Sequence, residues 1–425
     1  MTRCIPASGI NLFQLIYVLI REAEEKTGLP ALDLSLGNPD TVPPREVLEL
    51  QARHAADPAL ILHTYAEDND IGGFAEPMIE LHTGVRPGDH AHLDCVPIPG
   101  IKTAGALIPL ACGLHLPDGK RRADFRVASN LPAYDVIGTW TTSFLAAERI
   151  VWPLLPSSGM RLEVKELERA LNEKGEERVD LVYVIRPGNP AAVGATASEW
   201  KELIEHCLER GTRLVNDAAY VGLAGEQHVA LARVACEYPD LEWIEMVSVS
   251  KSFSDPGARL GALVGSRDFV EDFRLVKGNT ESGPVPYVMR AYADFLRNGD
   301  SARRALDERR ELYDRRLAYV VEKLNLAGLR PACPTDAGFF TLWEVPRRVL
   351  GVSLADDPRT RDLPPHEAFN RLVISETGIV GVHFQGPTGK GGATPLIRYG
   401  VCTDVLAPEF QERFERGLQR LQPEY

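Results

Sequence analysis

The strongest constraint on this chain is an alternation running from about Leu93 to Val264, where short apolar runs take turns with helix-like segments. "HLDCVPIP", "FRVASNLP", "DLVYVIRPGNP", "TRLVNDAAY" and "WIEMVSVSK" read as strands, several of them almost continuously apolar. Lys102–His115, Val164–Lys174 and Ser198–Arg210 read as helices between them. Strand, helix, strand in series implies right-handed crossovers, and strands apolar on both faces need cover on both. The expected fold is α/β, a mostly parallel sheet flanked by helices. Such sheets bind ligands beyond the carboxyl ends of their strands. Polar, glycine and proline residues collect there in this sequence.

At 425 residues the chain is too long for one simple core, so a second, smaller unit is expected. A long charged helix, roughly Ser301 to Leu324, precedes two further strand-like runs, "GFFTLWEV" and "LIRYGVC". These suggest an α+β domain. The division that follows is a large domain over 36–290 and a discontinuous smaller one from 1–35 and 291–425. Val352–Glu367, rich in proline and charge, reads as a surface insertion.

The formal charge of −13 argues against a nucleic-acid or acidic-membrane surface but leaves room for a small anion held by local cations. Seven cysteines without a C-x-x-C pair suggest neither a disulfide framework nor a zinc site, and point to a reducing, cytoplasmic compartment. "INLFQLIYVLI" (Ile10–Ile20) could pass for a signal-peptide core. Asn11, Gln14 and the following "REAEEKTG" favour a packed helix ending near Gly28. No apolar run approaches the length of a membrane span.

"SVSKSFSDPGARLG" (Ser248–Gly261) sets one lysine, Lys251, between Ser248 and Arg259. An enzyme using an aldehyde cofactor with a phosphate and a pyridine ring needs a lysine amine to condense with the aldehyde. It also needs a carboxylate against the ring nitrogen, donors for the phenolic oxygen, and hydroxyl, cationic and backbone N–H groups around the phosphate. Strand ends here carry each of these. Asp217 and Tyr220 lie in "NDAAY", Asn189 in "RPGNP", and Tyr134 in "LPAY", where its ring could lie on the cofactor face. Gly100–Ile101–Lys102 opens a helix whose free N–H groups favour a phosphate.

These residues also carry a resemblance to the class I/II aminotransferases, fold-type I enzymes dependent on pyridoxal 5′-phosphate. "LSLGNPD" (Leu34–Asp40), "TYAEDNDIGGFAE" (Thr64–Glu76), "PGIK", "LPAY", "GNP", "NDAAY", "SVSKSFSDPGARLG", "AGFFTLWEVP" and "TPLIRYGV" follow in family order, nearly end to end. The resemblance implies that Lys251 binds the cofactor and moves the substrate proton. It implies Asp217 on the ring nitrogen, Tyr220 and Asn189 on the phenolic oxygen, and Tyr134 stacked on the ring. Ser248, Arg259 and the Ile101–Lys102 backbone would hold the phosphate. Arg398, with Gly37 and Asn189, would bind the substrate, the guanidinium taking the α-carboxylate by two prongs as a lysine could not. Tyr65 resembles the tyrosine that reaches the neighbouring subunit's phosphate, which implies a homodimer. The family's N-P-x-G stands here as "NPAAVG", with Ala192 at the glycine position and Gly194 two places on.

The reaction so implied is ping-pong transfer of an amino group between an α-amino acid and a 2-oxo acid. A β- or γ-eliminating lyase or cyclising synthase would use the same ring contacts. A non-catalytic ligand-binding protein should have lost Lys251 or Asp217, and both are present. Side-chain specificity could come from the region of Val276–Tyr287, with Lys277 or Arg290 as cations, from the N-terminal helix, or from a partner subunit. Three other motifs carry less. His90, His92 and Asp94 alternate but lack a further metal ligand, "GPTGKGG" (Gly386–Gly392) lacks phosphate-loop spacing and reads as a mobile loop over the site, and "DERRELYDRR" reads as a solvated helix face.

Overall fold

The computed structural model describes residues 12–134, 140–389 and 392–425. In chain order its strands are β1 (Leu32–Asp33), β2 (Leu93–Ile98), β3 (Arg126–Leu131), β4 (Glu148–Pro153), β5 (Leu181–Ile185), β6 (Arg213–Asp217) and β7 (Trp243–Ser248). They continue as β8 (Gly261–Ser266), β9 (Phe340–Glu344), β10 (Arg348–Val349), β11 (Val352–Ser353), β12 (Ile379–Val380), β13 (Val382–Gly389) and β14 (Gly392–Gly400). Seven build the central sheet, in the order β2-β8-β7-β6-β5-β3-β4. β3 to β7 are parallel, and β8 runs against both of its neighbours. β2 therefore points the same way as the five, and six strands end on one rim.

The expected strands occur as β2, β3, β5, β6 and β7. β5, "LVYVI", is buried at every position, as a central strand covered on both faces must be. Pro97 is tolerated in β2 because that strand is an edge. Two strands escaped the pattern. β4, "ERIVWP", is the other edge and buries only Ile150 and Trp152 fully, so its apolar signal is diluted. β8, "GALVGS", looks like a loop because of its glycines. A Cβ on Gly261 or Gly265 would lie 2.4 Å from Val247 O or 2.1 Å from Trp243 O, so the tight pairing with β7 requires them.

The crossover helices sit where the periodicity places them, at Ile101–Ala111, Val164–Lys174 and Ala197–Arg210. The last is closed by a capping box between Thr196 and Glu199, and its C-terminus by Gly211 at φ 60°. A second core gathers Phe339, Phe340, Trp343, Phe369, Tyr399 and Phe414 around the antiparallel sheet β13-β14-β9. Helices Gly299–Leu326, Pro365–Thr377 and Pro408–Gln419 cover it. The N-terminal helix, Leu12–Thr27, packs Ile16, Leu19 and Ala23 against Ile374, Val380 and Val382. No described helix is long and apolar enough to cross a membrane.

A strap joins the two cores. Asp336 and Ala337 donate their N–H groups to Ala192 O at 3.0 and 3.1 Å, and Gly194 N–H donates to Asp336 Oδ1 at 2.8 Å. Ala192, at the family's glycine position, thus offers its carbonyl to the strap. Three readings need correction. The charged helix is not solvated throughout, because Arg309, Tyr313 and Arg316 are buried. Arg309 donates to Val42 O and Ser254 Oγ, and Arg316 to Asp40 and Val401 O, so these cations serve as tethers. The 352–367 segment buries Leu354, Asp357 and Thr360, with Arg359 paired to Asp357, so it is pinned down. Gly386–Gly389 and Gly392 belong to β13 and β14 rather than to a loop, while Lys390 and Gly391 lie outside the described residues.

Candidate active site

The rim where the six strands end opens into a cavity of about 590 Å³, within the usual range for small-molecule sites. Gly37, Ile101, Lys102, Tyr134, Asn189, Asp217, Tyr220, Ser248, Lys251, Arg259 and Arg398 all line it. Tyr65 does not; it is 74% exposed elsewhere on the surface. Lys277 and Arg290 are also outside. Lys277 is buried against Glu67 O, Asp68 and Glu281, and Arg290 pairs with Asp294.

The local fold explains why distant residues converge. β7 ends at Ser248, whose hydroxyl accepts from Ser250 N–H at 3.1 Å and starts the single helical turn Val249–Ser252 that carries Lys251. β8 runs back beside β7, and Gly261 pairs with Ser248 on one side and Ile98 on the other. Arg259, two residues before Gly261, therefore lies over Gly100. It adopts φ 46°, a left-handed conformation uncommon outside glycine, and donates to Pro256 O and Pro99 O at 3.1 and 3.3 Å. Gly100 has φ +87°, and a Cβ there would sit 2.4 Å from Arg259 Nη2. Only glycine leaves room for the guanidinium beside the start of helix Ile101–Ala111.

Lys251 is half-buried, and its Nζ donates to Gly37 O at 2.6 Å. Burial lowers its pKa to about 8, with Arg398 and Arg259 pushing the same way. Asp217 ends β6, and burial raises its pKa to about 6 despite the N–H it accepts from Ala219 at 3.0 Å. Asn189 Nδ2 donates to Tyr220 Oη at 3.3 Å, leaving the tyrosine proton for an acceptor in the cavity. Burial also raises the Tyr220 pKa, so the phenol stays protonated.

Arg398 comes from β14 and is 1% exposed. It donates through Nη1 to Asn189 Oδ1 at 2.8 Å and through Nη2 to Ser35 O at 2.7 Å, and lies 3.9 Å over the Phe340 ring. Its Nε has no partner among the described residues. Burial lowers its pKa to about 10, which still leaves it a cation at neutral pH. Four cationic side chains and one carboxylate line the cavity, so it favours anions although the chain is acidic overall.

Sequence reasoning missed several lining residues, among them Ile16, Tyr17, Ser35, Gly105, Tyr183 and Ser250. Tyr183 had a signal, an aromatic hydroxyl inside an otherwise aliphatic strand. Ile16 and Tyr17 had none beyond their helix; of the two regions of this chain considered for specificity, that helix lines the cavity and Val276–Tyr287 does not. The His90–His92–Asp94 series holds no metal set. His92 Nε2 contacts Cys236 O at 3.0 Å and Asp94 pairs with Arg274, and no metal-binding group occurs among the described residues.

Residues 143–404 match the family of class I and II aminotransferases. The chain is 29% identical over 298 residues to the LL-diaminopimelate aminotransferase of Methanocaldococcus jannaschii, covering 67% of this chain and 66% of that one. It is 25% identical over 411 residues to the enzyme of the same name from Syntrophobacter fumaroxidans, covering 96% and 95%. Its fold is similar to an aspartate aminotransferase double mutant from Thermus thermophilus, with a TM-score of 0.76 at 19% identity over 99% of both chains. An aromatic aminotransferase from Pyrococcus horikoshii gives a TM-score of 0.73 at 19% identity over 95% and 98%. The chain belongs to the class I and II aminotransferases, enzymes that work with pyridoxal 5′-phosphate.

Proposed function

We propose that the cavity transfers an amino group between an α-amino acid and a 2-oxo acid in two half-reactions, with Lys251 as the reacting amine. The observation that carries this reading is the Lys251 amine, brought to a pKa of about 8 in the same cavity as the Asp217 carboxylate and the Arg398 guanidinium. The residues fit pyridoxal 5′-phosphate. An amine, a carboxylate, a phenol–amide pair and an anion-favouring corner at Gly100, Ser248 and Arg259 share one space, and Gly100 admits no side chain. When bound, the cofactor supplies an electrophilic aldehyde carbon and a ring that draws electrons from the substrate.

Each residue then has a task. Lys251 Nζ, a fraction of which is free amine near neutral pH, would hold the cofactor aldehyde and move the proton at the substrate Cα. Asp217 would face the ring nitrogen and, as a carboxylate, would favour a proton there. Tyr220 and Asn189 would hold the phenolic oxygen, and Tyr134 would cover the ring. Ser248, Arg259 and the Ile101 and Lys102 N–H groups grip the phosphate. Arg398, helped by Asn189 and Gly37, binds the α-carboxylate with N–H groups still uncommitted. The chain divides into a large domain, 36–290, and a smaller one, 1–35 with 291–425. It acts in the cytoplasm as a homodimer, with Tyr65 reaching a second copy; the exposure of Val42, Leu60, Ile61 and Tyr65, all above half, supports that face.

The names of its relatives make LL-diaminopimelate the first amino donor to assay, against 2-oxoglutarate, pyruvate and oxaloacetate as acceptors. The test is the visible absorption of the purified protein, recorded before and after candidate amino donors. A cofactor band that shifts with a donor and returns with an oxo acid is the expected result. No band, or release of ammonia and keto acid without an acceptor, would refute transamination.

A further inference from the structure

We propose that His82 is a positioning residue for Lys251, acting through the hydroxyl of Ser252. This rests on the reading of Lys251 as the reacting amine. His82 lies on helix Ala75–Thr83, outside the cavity, and no step of the reaction uses it. Its Nδ1 is 2.9 Å from Met78 O, which can only accept, so Nδ1 carries the ring proton. Nε2, 2.7 Å from Ser252 Oγ, must then accept from the serine hydroxyl. Burial and the nearby Arg310 lower the pKa of His82 to about 4, so the ring stays neutral and keeps that polarity.

Ser252 follows Lys251 in the four-residue turn Val249–Ser252 and is 1% exposed. So short a helix has no stability of its own and takes its orientation from tertiary contacts. Val249 N–H donates to Leu260 O at 3.2 Å, and two further contacts bear on Ser252. One is the His82 bond. The other is Gly222, which approaches so closely that a Cβ would lie 2.2 Å from Ser252 Oγ and 3.2 Å from His82 Nε2, and Arg310 Nε holds the Gly222 carbonyl at 2.9 Å. The His82 ring is itself set edge-on against Phe253, with centroids 6.2 Å apart. The Ser252 hydroxyl is therefore confined by the His82 ring and the Gly222 backbone together, and this fixes where the neighbouring Lys251 chain leaves the backbone before it reaches Gly37 O.

The test compares two ligands of the apoprotein. Pyridoxal 5′-phosphate can be captured by Lys251: a bond forms between Nζ and the aldehyde carbon, and the aldehyde oxygen leaves as water. Pyridoxamine 5′-phosphate fills the same space without that bond. His82→Leu and Ser252→Ala should each weaken capture of the aldehyde about tenfold, the scale of a small misplacement, while leaving affinity for the amine unchanged. The double variant should match the singles, and His82→Gln, whose amide oxygen can accept from Ser252, should restore the parent value. Equal weakening of both ligands, or unchanged capture in Ser252→Ala, overturns the proposal. Borohydride reduction and peptide mapping of the parent separate this from the wider reading. Label on Lys251 with unaffected variants rejects His82 alone, whereas label on another residue rejects the role of Lys251 itself.

Discussion

Arg398→Lys is the sharpest test of substrate recognition. A guanidinium has five N–H donors. Two are committed, to Asn189 Oδ1 at 2.8 Å and Ser35 O at 2.7 Å, and three remain, including the unpartnered Nε–H. A carboxylate can therefore take two bonds at once. An ammonium has three donors, and satisfying Asn189 and Ser35 would leave it one. The variant thus loses one charge-assisted hydrogen bond, about 1.5–3 kcal/mol. It also loses the stack on Phe340, roughly 0.5–1 kcal/mol. At about 1.4 kcal/mol per decade, the sum corresponds to a fall of roughly 10²-fold in kcat/KM for the amino-acid half-reaction. Single-turnover absorption measures it, with circular dichroism to check folding. The control is the amine that lacks the carboxylate. Its slow reaction should not change, so the variant should lose discrimination between the two. An equal fall for both substrates, or no fall, would refute the assignment.

Asp217→Asn should stabilise the apoprotein while weakening the cofactor. The folded pKa of Asp217 is about 6 against 3.8 for an ordinary aspartate, so its contribution is fully present below pH 3.8 and lost as pH rises through 6. Above pH 6 the variant should gain on the order of 1–3 kcal/mol in urea melts, and no gain would contradict the burial argument. Capture of pyridoxal 5′-phosphate should accelerate with pH and level off above about 8, where the Lys251 amine is mostly neutral; a pH-independent rate would count against that shift. Gly100→Ala, strained at φ +87° and blocked by Arg259, should lower affinity for inorganic phosphate more than it changes binding of the phosphate-free pyridoxal.

Gly100, Asp217 and Lys251 could be found in the sequence because each sits just past an apolar run, where a parallel sheet must place its ligands, whereas Arg398 lies inside β14 of the antiparallel sheet and was reached only through the family resemblance. Asp217 follows "RLVN", and Lys251 follows "IEMVS", so pattern and chemistry coincide. What was hidden depends on contacts between distant segments. Nothing local separates Arg309 and Arg316 from the exposed arginines beside them; their burial comes from Val42, Asp40 and Val401, each far along the chain. His82 drew no notice in the sequence for the same reason. β8 was missed because its glycines answer to a neighbouring strand rather than to their own propensity. Ile16 and Tyr17 reach the cavity only because their helix docks on β12 and β13.

The reversal of β8 has a consequence for how such a cavity can be built or moved. A parallel successor to β7 would begin at the far edge of the sheet, after a long crossover. Because β8 instead starts beside the end of β7, Lys251 and Arg259 are separated by a loop that leaves and re-enters the sheet at one cross-strand pair, Ser248 and Gly261. Amine and guanidinium travel together as a fourteen-residue cassette with both ends anchored at adjacent points. Recombination or grafting could carry that cassette between related sheets without disturbing strand order, provided the recipient keeps a glycine opposite the guanidinium.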